Sequence, residues 1–239
     1  MQTITKTDNL QNSIGYLFIG IWICALIGFH NTYTVFFPSF KGFRWQQHFH
    51  GIMLMSWFAM LIIQPFLIKF GKTGVHRRLG KLGYILAPMV CFSIFLVTKM
   101  VYFRETRLRP ESSVLGQLSL DIPTIFIFAL FFALAMINRR KSDVHMRYMV
   151  GTSFLMIGPG LGRSMIIFGG VPFPVAVTIA YYVSEIIALI FLLNDVRKGA
   201  NIKPFLTILI VLVINHFIWA FQDALWWQKI AKGFVTLTF

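Results

Sequence analysis

Cysteine is nearly absent from this sequence. Cys24 and Cys91 are its only two, each inside an apolar stretch, which excludes a disulfide framework and a thiolate metal site. Acidic residues are scarce, 8 Asp and Glu in 239 positions, and charged residues of both signs make up only 13%, about half the share of an ordinary soluble domain. There is no Gly-rich phosphate loop, no Ser/His/Asp arrangement, no internal repeat and no low-complexity tract. These absences remove the common soluble enzyme and nucleotide-binding classes. The formal net charge of +14 does not point to nucleic acid either, because no soluble basic surface is left over to bind it.

What the sequence has in quantity is apolar: 57% hydrophobic residues, 26 of them Phe. A bilayer core about 30 Å thick needs roughly 20 apolar residues per helix. Seven such stretches follow one another, at 14–37, 49–69, 82–103, 118–138, 147–168, 173–193 and 204–226. The expected fold is therefore all-α, a polytopic membrane protein whose single transmembrane domain, 1–239, is a seven-transmembrane-helix bundle. The polar head Gln2 to Ser13 has no basic leader and no small-residue cleavage site closes the stretch after it, so the first stretch reads as a retained helix. In the fifth, Gly158-Pro159-Gly160 and Gly162 predict a kink.

Orientation follows from the basic residues. Lys69, Lys72, Arg77, Arg78 and Lys81 follow the second helix, Arg139, Arg140, Lys141 and Arg147 the fourth, and Arg197, Lys198 and Lys203 the sixth. They outnumber the basic residues of the opposite loops and sit close to helix ends, where the positive-inside bias acts most strongly. The loops after helices 2, 4 and 6 are accordingly cytoplasmic and the N-terminus is outside. The partner this charge implies is the lipid bilayer with its anionic headgroups.

Histidine is the most informative residue. His30, His48 and His50 lie toward the outer side and His216 in the outer half of the seventh helix, whereas His76 and His145 lie at the cytoplasmic ends. An isolated histidine near a helix end is usually interfacial, with its ring nitrogens wet. Neutral imidazole is also a good ligand, so His30, His48, His50 and His216 form a candidate outer metal set. His48 and His50 are about 200° apart around a helix, so both cannot face inward; His50 is the inward one, sharing a face with Met53, Trp57 and Gln64.

Ionisable groups deep in hydrocarbon are costly and mark function. Tyr181, Ser184 and Glu185 form one stripe on the sixth helix, and Arg163 lies in the outer half of the fifth. Their depths differ by about 10 Å at 1.5 Å per residue, which leaves a direct ion pair open. Asp121, Asn215 and Asp223 add polar groups to the outer half. A buried network that only fixes helix packing accounts for the same residues equally well.

His76-Arg77-Arg78-Leu79-Gly80, followed by Lys81-Leu82-Gly83-Tyr84, and His145-Met146-Arg147-Tyr148-Met149 resemble the H-R-x-L-G and H-x-R-x-M motifs of a family of bacterial multi-spanning membrane proteins. The same opening of a helix is distantly similar to the transmembrane b-type cytochromes, the ferric and ascorbate reductases. The resemblance spans the second to fifth helices. It implies a bacterial cytoplasmic membrane, haem b or a transition metal as cofactor, and an electron donor as partner, with His50, His76 and His145 corresponding to ligands on the second, third and fifth helices. The fourth helix carries no histidine, which leaves one haem between His76 and His145, or an outer site using His50 with His216 or His30.

The other function class is a transporter or receptor for a small-molecule ligand or an ion, in which Gln64, Arg163, Glu185 and His216 line a cavity beside the broken fifth helix. The membrane part of the seventh helix has no lysine for a retinal Schiff base, which excludes a photoreceptor. Repeated H-x-x-x-H pairs are missing too, which excludes a di-iron hydroxylase.

Overall fold

A computed structural model describes residues 6–239, with side chains from Ile14 onward. The polar head Gln2 to Ser13, which carried the retained-helix expectation, lies outside the residues whose side chains are described. The helices are α1 (Lys6–His30), α2 (Trp45–Lys69), α3 (Thr73–Gly80), α4 (Gly83–Glu105), α5 (Glu111–Ile137), α6 (Ser142–Phe154), α7 (Ile157–Gly169), α8 (Phe173–Arg197), α9 (Lys203–Ala220) and α10 (Leu225–Thr238), with a 3-10 turn at Thr34–Phe36. Six helical units are long and apolar enough to cross a membrane: α2, α4, α5, α6 with α7, α8 and α9. A shorter apolar stretch, Ile14–His30, lies within α1. The chain is a polytopic helical membrane protein.

Several boundaries differ from the sequence reading, each for a local reason. The first helix ends at His30 instead of 37, because the chain turns back through Tyr33 to Phe43 on a cluster of Tyr33, Phe36, Phe40, Phe43 and His48. The second begins at Trp45, where the Gln47 side chain accepts the Arg44 N–H at 2.9 Å and so caps the first turn. The fourth expected helix begins seven residues early, at Glu111, whose carboxylate suits a helix N-terminus. The last stretch divides: α9 stops at Ala220 and Leu225 opens a separate helix, α10. The basic segment before the third expected helix is itself the short helix α3.

The expected kink is a full break. A proline at 159 removes the N–H that would bond the Leu155 carbonyl and crowds that carbonyl with its ring, so α6 ends at Phe154 and α7 restarts at Ile157. Gly170 closes α7 at φ 62°, a left-handed position that suits glycine.

The helices form a closed bundle in which α2 packs on α1 and α4, α4 on α5, α8 on α7 and α9, and α5 also on α9. The broken helix runs through its middle, and half of its most apolar window is buried, more than in any other spanning unit. Within it, α6 packs on α5 and α9 whereas α7 packs on α1 and α8, so the pair crosses the bundle diagonally. One end of the bundle carries α3 and the other carries α10; they are called the α3 end and the α10 end below.

Small residues permit the close approach of α7 to α1. A Cβ on Gly28 would lie 2.2 Å from the Gly160 carbonyl oxygen, and one on Gly160 would lie 2.8 Å from the Ala25 Cα. At the α10 end, α10 lays Trp227, Ala231 and Val235 against Tyr102, Val114, Leu115, Leu118 and Ile122. The Trp227 indole N–H donates to the Leu115 carbonyl at 2.9 Å, and Lys232 pairs with Glu111 at 2.6 Å.

Candidate functional site

In the α10 half of the bundle, α2, α5, α7, α8 and α9 each carry a polar or titratable side chain within their spans. Of the titratable residues singled out in the sequence, Tyr181, Glu185 and His216 meet there. Tyr181 and Glu185 are one helical turn apart on α8, and His216 faces them from α9. The His216 Nδ1 lies 2.9 Å from Glu185 Oε1, both side chains being about one-seventh exposed (15% and 14%). The Tyr181 ring stacks on the imidazole at 4.9 Å and 6°, and Tyr182 meets it edge-on at 4.8 Å. The imidazole therefore has a fixed plane, one nitrogen committed to the carboxylate and one nitrogen left over.

Arg163 does not pair with Glu185. Its guanidinium lies over the Phe29 ring at 4.2 Å and donates to the Pro159 carbonyl at 3.2 Å. No carboxylate approaches it within ion-pair distance among the described residues. The His50 Nδ1 lies 3.0 Å from Ser93 Oγ. Since Ser93 spends its own proton on the Val90 carbonyl at 2.7 Å, Nδ1–H is the donor and the His50 Nε2 is a bare acceptor. His50 is thus held inward, as its face predicted.

The other histidines are dispersed. His30 contacts Thr34 Oγ1 at 3.1 Å and is exposed, and His48 is held at 2.5 Å by the Tyr33 hydroxyl in the loop cluster, where burial raises the Tyr33 phenol. Among the described residues no three His, Cys, Asp or Glu side chains gather in an arrangement that would hold a metal ion.

At the α3 end, His145 donates Nδ1–H to the Ala135 carbonyl at 2.9 Å. His76, on α3, lies at the same end, where a charge on His145 would oppose its own. Gln64 lies here, apart from His50 despite their shared face: its amide nitrogen donates to His76 Nδ1 and its oxygen accepts from the Gly80 N–H at 3.2 Å. With Nδ1 accepting, the His76 proton sits on Nε2. Burial, with His145 and Arg77 nearby, holds this imidazole below its ordinary value.

Asp223 lies beyond the last spanning helix, exposed in the link between α9 and α10, and not in a membrane segment. It borders a cleft of about 340 Å³ at the α10 end, together with Arg109, Gln117, Phe173, Trp219 and Gln222. A further polar pair escaped the sequence reading altogether. Arg147 grips Asp195 through Nε to Oδ2 at 2.7 Å and Nη2 to Oδ1 at 2.9 Å, both side chains buried. Arg147 also donates to the Asp143 carbonyl at 2.9 Å, so α6 and α8 are locked at the α3 end. The pattern of a basic residue near the start of one helix and an acidic one near the end of another was available in the sequence, but nothing in it paired the two. No family model matches the chain, and neither the curated proteins nor the solved structures offer a match to it.

Proposed function

We propose that the chain is a seven-helix protein of a cytoplasmic membrane, with its α10 end away from the cytoplasm, that binds and moves a small polar ligand at the interior site. The observation that carries this reading is the Glu185 to His216 contact among the spanning helices. Such a pair can hold one proton more or fewer without breaking its bond. With a neutral ring, Nδ1–H donates to the carboxylate and the pair carries one negative charge. Protonation at Nε2 makes it an ion pair of zero net charge, with the same hydrogen bond retained. Arg163 and Asp121, both without an ion-pair partner among the described residues, supply charges of opposite sign for a ligand. The broken α6–α7 helix beside them provides irregular backbone in the bundle interior, as binding sites in membrane carriers do.

The test is solute-driven proton movement in proteoliposomes carrying an internal pH dye. A panel of amino acids, carboxylates and amines is applied outside. Wild-type protein is expected to change the internal pH with at least one class of solute, and Glu185→Gln to lose that response while folding normally. A response that survives Glu185→Gln sinks the reading.

The redox reading is kept as the second. It is favoured by the proximity of His76 and His145 at the α3 end, the His145 ring being oriented by the Ala135 carbonyl with Nε2 bare. It ranks lower because Gln64 leaves His76 with its proton on Nε2, the nitrogen a haem or metal would need. An oxidised and dithionite-reduced absorption spectrum decides it: a Soret band lost in His145→Ala establishes haem, and a colourless protein without bound iron or copper removes it.

A further inference from the structure

The cleft at the α10 end is not an isolated dent. Each helix that walls it carries a stripe of polar and aromatic groups running inward toward the interior site. On α5, Gln117 at the cleft lies one turn from Asp121; on α8, Pro174 leads to Thr178, then to Tyr181 and Glu185; on α9, Trp219 lies one turn from Asn215 and His216. α5 packs on α9, and at the mouth a side chain at Gly116 on α5 would touch the Gln222 and Asp223 side chains of the link that follows α9.

One turn inward from Trp219 lies a polar atom without a partner. The Asn215 Oδ1, on a residue 3% exposed, makes no hydrogen bond. Buried polar groups are normally satisfied, and one left alone in a polar, roomy place is where water or a polar ligand belongs. What closes the route is Trp219. It is buried, its indole N–H donates to Thr178 Oγ1 at 3.3 Å, and its ring meets Phe173 edge-on at 6.0 Å.

We infer that this cleft is the aqueous entrance to the interior site for a small hydrophilic solute, neutral or zwitterionic, and that Trp219 is its gate. The inference rests on reading the interior as a ligand site. The solute class follows from the rim. Arg109 and Asp223 bring opposite charges to the mouth, and the remaining polar groups are amides and hydroxyls that both donate and accept. Such a rim has no field of one sign to gather anions or cations. The Trp219 to Thr178 bond spans α9 and α8, the two helices that carry His216 and Glu185, so opening the gate and loosening that pair are movements of the same two helices.

Cysteine accessibility tests this without knowledge of the solute. In a Cys24→Ser/Cys91→Ser background, single cysteines are placed at Ser113 on the rim, Gln117 in the cleft, Asn215 behind the gate and Ile214 beside it facing lipid. Sealed vesicles are exposed to a membrane-impermeant methanethiosulfonate from one side at a time. Asn215→Cys is expected to react from the same side as Ser113→Cys, several-fold faster than Ile214→Cys, and faster again when Trp219→Ala is added. Should Asn215→Cys fail to purify as a single species, Leu212→Cys, one turn further along the buried face of α9, reads access behind the gate. Reaction of the deep cysteine only from the opposite side, or no faster than Ile214→Cys even with Trp219→Ala, overturns the entrance. An unchanged rate on Trp219→Ala overturns the gate. Labelling needs no transport, so these results stand apart from the Glu185→Gln flux test.

Discussion

Arg147 and Asp195 meet through two parallel hydrogen bonds of 2.7 and 2.9 Å, on side chains almost sealed from solvent, and so fasten the start of α6 to the end of α8. A buried pair of this kind adds little over a well-packed apolar pair, but removing one partner leaves the other charge stranded. Asp195→Ala is therefore expected to destabilise the protein by about 3–5 kcal/mol, while Arg147→Met with Asp195→Leu recovers most of the loss. Thermal unfolding of detergent-solubilised variants measures both; a single variant as stable as the wild type contradicts the account.

The α1 to α7 seam makes a second prediction. Gly28→Ala would drive a methyl group into the Gly160 carbonyl at 2.2 Å, and overpacking of this kind costs about 1–3 kcal/mol or more where backbone must shift. Gly20→Ala on the same helix meets nothing within 4 Å and should be neutral or mildly stabilising. Comparing the two unfolding temperatures separates seam packing from any general intolerance of substitution in α1.

His76 gives the pH dependence. Its imidazole sits below the ordinary 6.5 because burial, and then the neighbouring His145 and Arg77, oppose its charge. The unfolded chain therefore takes up the proton first. The contribution of His76 to stability is complete above pH 6.5 and falls as the pH drops through the window beneath it. Unfolding temperature measured from pH 8 to pH 5 should decline less in His76→Gln than in the wild type; identical declines rule out His76 as a source.

Tyr181 stacks on His216 and fixes the ring against Glu185. Tyr181→Leu removes the stack while leaving the carboxylate, and is expected to shift the pH profile of solute-driven proton flux with little change in unfolding temperature. Tyr181→Phe, which keeps the stacking face, should restore the wild-type profile. A Tyr181→Phe profile as altered as that of Tyr181→Leu would show that the hydroxyl matters instead.

A helical membrane protein was legible in the sequence, because apolar runs of spanning length recur along the chain, and six helices long and apolar enough to cross a membrane bear that out. Helix-face periodicity put His50 on the same side as Met53 and Trp57, and the polar stripe put Tyr181 and Glu185 on one face of their helix. Which groups touch was hidden. Arg163 looked like a partner for Glu185, but α7 leans toward α1 and gives its guanidinium to Phe29. His216, one helix further on, takes the carboxylate instead. Gln64 shares a face with His50, yet α3, a helix too short and basic to register as a span, folds back to claim it. Asp195 escaped notice because a carboxylate at a helix end looks solvated until the facing arginine is known. Asp223 was placed too deep because the α9 to α10 turn carries no glycine or proline to announce it.

The gap between Phe154 and Ile157 divides one membrane crossing into two mechanical parts. Its α3 half is bolted to α8 by Arg147 and Asp195, whereas its α10 half is meshed with α1 through Gly28 and Gly160. Arg163 rides on that second half and rests against Phe29 of α1. The position of Arg163 is therefore set by α1, whereas the α3 half of the same crossing takes its position from α8.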